Sequence, residues 1–223
     1  MSEKHKIYII HGILGGSYEF GFLRKSLKKE GFVSEIFTYR SRKERILKVG
    51  EKLYEQIKKE NLTEVSFITH SLGGLILRAM LLFSKEDLDF PKIRSVVMIA
   101  PPNQGTKSGN FMYKYTFFQW LLGVNLRDVK NDENSLAKKL PLMFSAEVGI
   151  IAGIRGNKYG YNPFIGSDND GEIRPEETKL GTEKDFVTVK SSHVTILQNK
   201  KTIQLTIQFL KTGSFNNNTQ QKK

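Results

Sequence analysis

There is no cysteine anywhere in the 223 residues. Disulfides, thiolate catalysis and cysteine-ligated metal are thereby excluded. Long apolar runs are missing too: no stretch reaches the roughly 18 apolar residues that cross a bilayer. The opening from Met1 to Lys6 is polar and leads straight into the apolar run Ile7–Ile10. That run is too short for a secretory leader core, and no small-residue cleavage pattern follows it, so a cytoplasmic protein is expected. Histidine is scarce, with four in the chain, and there is one tryptophan. Negative charge is in the minority, with 23 acidic against 35 basic side chains and a formal net charge of +12. Such a balance raises nucleic acid or an anionic membrane as partners. The lysines are spread along the chain and no nucleic-acid-binding motif accompanies them, so they read as a solvated surface. No nucleic-acid partner is expected, and only a weak attraction to anionic lipid headgroups remains.

The composition, 39% hydrophobic and 26% charged, is that of a globular domain, and the length suits one domain with a sizeable core. Short apolar runs alternate with longer helical stretches, the signature of a mostly parallel sheet covered by helices on both faces. Six strands are expected, at Lys6–Ile10, Ser34–Tyr39, Val65–Thr69, Arg94–Ala100, Val148–Ala152 and Phe186–Val189. Runs such as Val96-Val97-Met98-Ile99 are continuous because a parallel strand is buried on both faces. Tyr18–Lys29 and Ile46–Glu60 carry apolar residues at helical spacing with lysines opposite, and Leu72–Phe83 is apolar all round, as a buried helix is. A last helix is expected near Asn199–Leu210, closed by Gly213. The single domain then covers 1–213, and the polar tail 214–223 reads as disordered. Residues 105–142 exceed what a simple crossover needs. Their first half, dense in Phe, Tyr and Trp, reads as helical and partly a cap over the sheet edge.

Three patterns follow one another in a fixed order. His11-Gly12-Ile13-Leu14-Gly15-Gly16 follows the first strand; Thr69-His70-Ser71-Leu72-Gly73-Gly74 joins the third strand to a helix; Asp170-Gly171 and His193 follow late strands. A serine on a strand-to-helix turn, with glycine two residues on, is a nucleophile elbow whose tightness throws Oγ clear of the sheet. A lone serine here could equally be a helix N-cap. The glycines, the strand before it and the upstream His-Gly pair favour the nucleophile. Of the four histidines, His5 lies in the polar N-terminal stretch. His70 adjoins the serine and is expected to pack under the elbow, pointing away from Oγ. His11 belongs to the first glycine-rich loop. His193, just before the last helix, is left as general base. The acid that would orient it is less constrained, since Asp128, Asp132, Asp168, Asp170 and Asp185 all fall between serine and histidine. No spacing suggests a metal site, and no cofactor is expected.

At these residues the chain resembles the α/β-hydrolase superfamily, in particular small bacterial lipases and esterases of the branch that includes triacylglycerol lipases and GPI-inositol-deacylase-like proteins. The resemblance runs from Ile7 to about Leu210 and implies a minimal α/β-hydrolase fold with a short cap or lid. It also implies an oxyanion hole from the backbone N–H groups of Ile13 and Leu72. Ala100-Pro101-Pro102-Asn103-Gln104-Gly105-Thr106 is similar to the segment before a lipase lid. Ser167-Asp168-Asn169-Asp170-Gly171-Glu172-Ile173 is similar to the acid loop, an Asp-Gly followed by an aliphatic, which singles out Asp170 over Asp168. Thr69 departs from the small residue, Gly or Ala, that usually stands two places before the nucleophile. The activity so implied is cleavage of carboxylic esters through an acyl-enzyme on Ser71, with a small-molecule or lipid ester as substrate. A thioesterase or acyltransferase using the same residues, and a non-catalytic binding protein of this fold, are the alternatives. Phe111, Tyr115, Phe118 and Trp120 are the expected substrate-binding wall, against the simpler reading of a core or cap helix.

Overall fold

The computed structural model describes residues 5–142 and 145–216. Six strands form one all-parallel sheet: β1 (His5–Ile10), β2 (Ser34–Phe37), β3 (Glu64–His70), β4 (Lys92–Ile99), β5 (Glu147–Ile154) and β6 (Asp185–Lys190). Their spatial order is β2-β1-β3-β4-β5-β6. The chain therefore winds outward from β1 in one direction to β2, then returns to β3 and proceeds the other way. In a parallel sheet the crevice beside such a reversal, at the carboxyl ends of the strands, is where ligands bind. Here the reversal lies between β1 and β3, whose ends deliver His11-Gly12 and Ser71.

Because successive strand side chains alternate faces, each strand serves two cores. Tyr8, Ile10, Val65, Phe67, Val96 and Met98 face one side, where α2 (Ile46–Lys58) and α3 (Leu72–Ser84) cover them with Val49, Leu53, Leu75 and Ile76. Ile7, Ile9, Ile68, Val97 and Ile99 face the other, under α1 (Gly21–Lys29) and the final helix with Leu23, Leu27, Leu205 and Phe209. The helical stretch expected from Tyr18 begins as a 3-10 turn over Ser17–Phe20 before α1.

The segment 105–142 folds into several short pieces: α4 (Lys107–Tyr113), α5 (Thr116–Leu122), a 3-10 turn at Leu126–Val129 and α6 (Leu136–Lys139). The aromatic stretch is thus two helices, broken at Lys114-Tyr115, and its side chains do not share one face. Arg78 of α3, fully buried, ties the base of this segment down. Its guanidinium donates to the carbonyls of Pro141, Ala137, Leu140 and Asn103 at 2.7–2.9 Å. Among the described residues no carboxylate takes part, and burial lowers its pKa to about 10. Beyond β5 comes a long loop holding a 3-10 turn, Pro163–Ile165, and α7 (Pro175–Thr178), neither foreseen in the sequence.

The final helix, α8 (Lys200–Thr212), is capped by the Asn199 side chain, which accepts from Lys201 N–H, and ends at Gly213 with φ of 70°. The expected disordered tail is corrected at its start. Phe215 is buried against Phe209, centroid to centroid 4.9 Å, and its N–H donates to Asp185. The rest of that tail, 217–223, lies outside the described residues. No helix among the described residues is long and apolar enough to cross a membrane.

Candidate active site

Ser71 sits between β3 and α3 with φ of 50° and ψ of −123°, a strained conformation for a residue with a Cβ. Two glycines permit the turn. A Cβ on Gly73 would stand 2.4 Å from the Ile10 carbonyl oxygen, and one on Gly12 would stand 2.9 Å from Ser71 Cβ. Larger residues would push the elbow off the end of β1. Thr69 fits with its side chain fully buried, so its bulk is absorbed, although Oγ1 finds no hydrogen-bond partner among the described residues.

Ser71 Oγ lies 3.0 Å from Nε2 of His193, and Nδ1 of His193 lies 2.7 Å from Oδ2 of Asp170. Three residues far apart in sequence thus form one hydrogen-bonded chain. Asp170 is held independently of that contact. Its Oδ1 accepts from the N–H groups of Glu172 and Ile173, and its carbonyl accepts from His193 N–H at 2.8 Å. The carboxylate and the imidazole are therefore tied together through backbone as well as side chain. Asn169 underlies the loop and is fully buried. Its amide spans the carbonyls of Asn162 and Ser167, and its Oδ1 accepts from the N–H groups of Asn162 and Gly171. Asp168 is turned elsewhere and accepts from the N–H groups of Arg155 and Gly156. Asp185 binds Phe215 N–H, and Asp132 pairs with Lys130.

Burial disfavours charge on His193, but Asp170, Glu172 and Glu19 outweigh it and push its pKa up to about 9. The neighbouring His70 behaves oppositely, because burial and the charge of His193 hold it well below the ordinary histidine value. His70 does not simply pack under the elbow. Its ring lies 5.0 Å from that of His193, its Nε2 stands 3.2 Å from the His193 carbonyl oxygen, and it lines the cavity described below. His5 is the first residue of β1, 2.9 Å from Ser66 Oγ. His11 stacks on Tyr39 at 4.2 Å, and the Tyr39 hydroxyl donates to the His11 carbonyl at 2.8 Å.

A cavity of about 910 Å³ opens over Ser71 and His193. Ile13 and Leu72 both line it. The N–H of Leu72 is the first of α3 and has no helical acceptor, and that of Ile13 meets none among the described residues. Leu14, with φ of 57°, fixes the turn after Ile13 by donating its N–H to Ser41 Oγ. Preorganised donors beside a serine oxygen are what a developing oxyanion requires.

Of the four expected wall residues, Phe111 and Phe118 line the cavity, together with Met112, Leu122, Leu126 and Val129. Tyr115 and Trp120 do not. Tyr115 packs on Phe111 and Phe118 from behind, at 5.1 and 6.4 Å between centroids. Trp120 is 70% exposed beside Phe117, with the Arg42 guanidinium 5.5 Å from its ring. The break at Tyr115 turns α5 away from the register that a single helix would give. Glu19, Glu172 and His70 also line the cavity and carry no local sequence signal of doing so.

Residues 1–121 match the family model described as "Putative serine esterase (DUF676)". No curated protein matches the chain at a significant level. Among solved structures the chain is similar to the mature lipase BlEst2 of Bacillus licheniformis, at 15% identity over 94% of this chain and 93% of that one, TM-score 0.73. It is similar to the lipase of Staphylococcus hyicus at 14% identity over 89% and 90%, TM-score 0.64. It is also similar to a type II thioesterase of the yersiniabactin biosynthetic pathway, at 8% identity over 94% and 93%, TM-score 0.60. At these identities the likeness concerns architecture, and the architecture is the α/β-hydrolase fold.

Proposed function

Since the chain belongs to the DUF676 serine esterase family, we propose that it hydrolyses carboxylic esters through an acyl-enzyme on Ser71. The observation that carries this reading is the hydrogen-bonded chain from Ser71 Oγ through His193 to Asp170 at the floor of the cavity. His193 Nε2 takes the Ser71 proton as Oγ adds to the ester carbonyl. The same proton passes to the alcohol oxygen as the C–O bond breaks. Asp170 holds the imidazole in the tautomer that leaves Nε2 able to accept. The N–H groups of Ile13 and Leu72 face the oxyanion, and loss of such a donor typically costs about 10²–10³ in rate. Water, deprotonated by Nε2 in turn, then releases the acid.

The test is a substrate panel on purified protein: nitrophenyl esters, acyl-CoA and emulsified acyl-glycerol. Hydrolysis of the nitrophenyl series with little turnover of acyl-CoA supports an ester hydrolase. Preference for acyl-CoA moves the reading to a thioesterase, and inertness toward all three contradicts it.

Two expected results follow from the geometry. Phe111, Met112, Phe118, Leu122, Leu126 and Val129 offer an apolar wall. Each methylene buried there is worth about 0.8 kcal/mol, close to fourfold in affinity. Activity should therefore rise from acetyl to medium-chain nitrophenyl esters, and a maximum at two or three carbons would remove this role for the wall. The second concerns pH. The reaction needs His193 neutral in the free enzyme, and its pKa is raised. The acid limb of kcat/KM should then fall at higher pH than the ordinary histidine value of ~6.5, with activity still climbing into the alkaline range. A limb at or below that value would show that the surrounding carboxylates do not hold the imidazolium.

A further inference from the structure

The chemistry just described makes no use of the Glu172 carboxylate, although it faces the reacting atoms. The backbone of Glu172 is fixed on both sides: its N–H donates to Asp170 Oδ1 at 2.9 Å, and its carbonyl accepts from Ser108 Oγ at 2.6 Å. The side chain lines the cavity, 47% exposed, with Oε2 3.6 Å from Nε2 of His193. Among the described residues no lysine or arginine pairs with it. A carboxylate partly withdrawn from water, whose neighbouring cation is the His193 imidazolium and is lost in the neutral, reactive form of the enzyme, is a ready partner for a cationic ligand.

Its position says which part of a substrate it would meet. Nε2 is the atom that returns the proton to the departing alcohol oxygen, so the space beside Glu172 belongs to the leaving group, not to the acyl chain. Glu19, in the 3-10 turn before α1, lines the same cavity and acts electrostatically on His193 from there. Tyr18 and Phe164 line it too while staying 78% and 95% exposed, so their rings are available to an ammonium group. The two lysines of the cavity, Lys107 and Lys114, belong to α4 and the residue that ends it, in the segment that supplies the apolar wall.

Resting on the ester-hydrolase reading, we propose that Glu172 selects esters whose leaving alcohol carries a cationic amine two or three carbons from the ester oxygen. An ammonium at that spacing comes within ion-pair reach of Oε2 while the ester carbonyl sits over Ser71. The substrate class is thus amino-alcohol esters with an apolar acyl chain. A carboxylate that only steadied the imidazolium would favour charged and neutral esters alike. A carboxylate that binds the leaving group changes their ratio.

The experiment compares butyrylcholine with its uncharged carbon analogue, 3,3-dimethylbutyl butyrate, by kcat/KM in the wild type and in Glu172→Gln. The wild type should prefer the cation by about tenfold, as an ion pair at this distance in a partly wet site allows. Glu172→Gln should bring the ratio close to one, and added salt should compress the wild-type ratio. A wild-type ratio near one with the neutral ester turned over, or a ratio that Glu172→Gln leaves unchanged, overturns the proposal. The wild-type measurement suffices for this even if the variant does not fold. Failure to hydrolyse either ester, together with absence of fluorophosphonate labelling, is a different outcome: it removes the ester-hydrolase reading and the proposal with it.

Discussion

Ser71→Ala is expected to fold as the wild type does and to lose ester hydrolysis altogether. Alanine is the smaller of two residues that suffer the same strain at φ of 50°, and it asks for no new space beside Gly12. The change deletes one hydrogen bond, from a hydroxyl that reaches the cavity, so the stability effect should stay near 1 kcal/mol. The rate effect is of another order. In an enzyme whose serine and histidine act as a unit, removing the nucleophile alone costs about 10⁶ in kcat. Circular dichroism, thermal melting and nitrophenyl ester turnover on the same preparation separate the two. Turnover retained by a folded Ser71→Ala protein would place the chemistry elsewhere.

The second large effect is expected at Asp170 and not at Asp168, two residues away. Asp170→Asn preserves shape, and its amide oxygen can still accept from the N–H groups of Glu172 and Ile173. The amide nitrogen would then face Nδ1 of His193, where a donor now meets an acceptor. The imidazole would be pushed into the tautomer with a proton on Nε2, which can no longer take one from Ser71. The analogous change in another serine hydrolase lowers kcat by about 10⁴. Asp168→Asn touches the N–H groups of Arg155, Gly156 and Asn169 and none of the atoms of His193, so kcat/KM should remain near that of the wild type. The comparison is a kinetic one on two proteins that differ by the position of a single nitrogen. A severe Asp168→Asn and a mild Asp170→Asn would shift the acid by two residues.

The parts of this site that could be read in the sequence are those that local chemistry dictates. β3 and β4 stand out because strands buried on both faces leave uninterrupted apolar runs. Thr69-His70-Ser71-Leu72-Gly73 stands out because a strand that turns sharply into a helix needs glycine where backbones meet. Asp170 could be singled out only with the help of a resemblance, since seven aspartates satisfy the order of the chain and none advertises its distance from His193. What escaped the sequence is set by tertiary contact. Nothing in Tyr115 or its neighbours signals that α4 stops there, yet that break takes Trp120 out of the cavity. Glu172 looks like one more acid in an acidic turn until the fold brings it to Nε2 of His193. His70 faces His193 because the end of β3 and the loop before α8 converge, a fact held in contacts more than 120 positions apart. Phe215 reads as the start of a polar tail and is instead part of the core.

One measurement bears most directly on the acyl-enzyme at Ser71. The wild-type protein, mixed with a fluorophosphonate probe, is digested and the modified peptide sequenced by mass spectrometry, with His193→Ala and Asp170→Asn treated in parallel. A single adduct on Ser71, formed rapidly in the wild type and far more slowly in both variants, is the predicted result. An adduct on another residue, or equal labelling of Ser71 when His193 is gone, would contradict it.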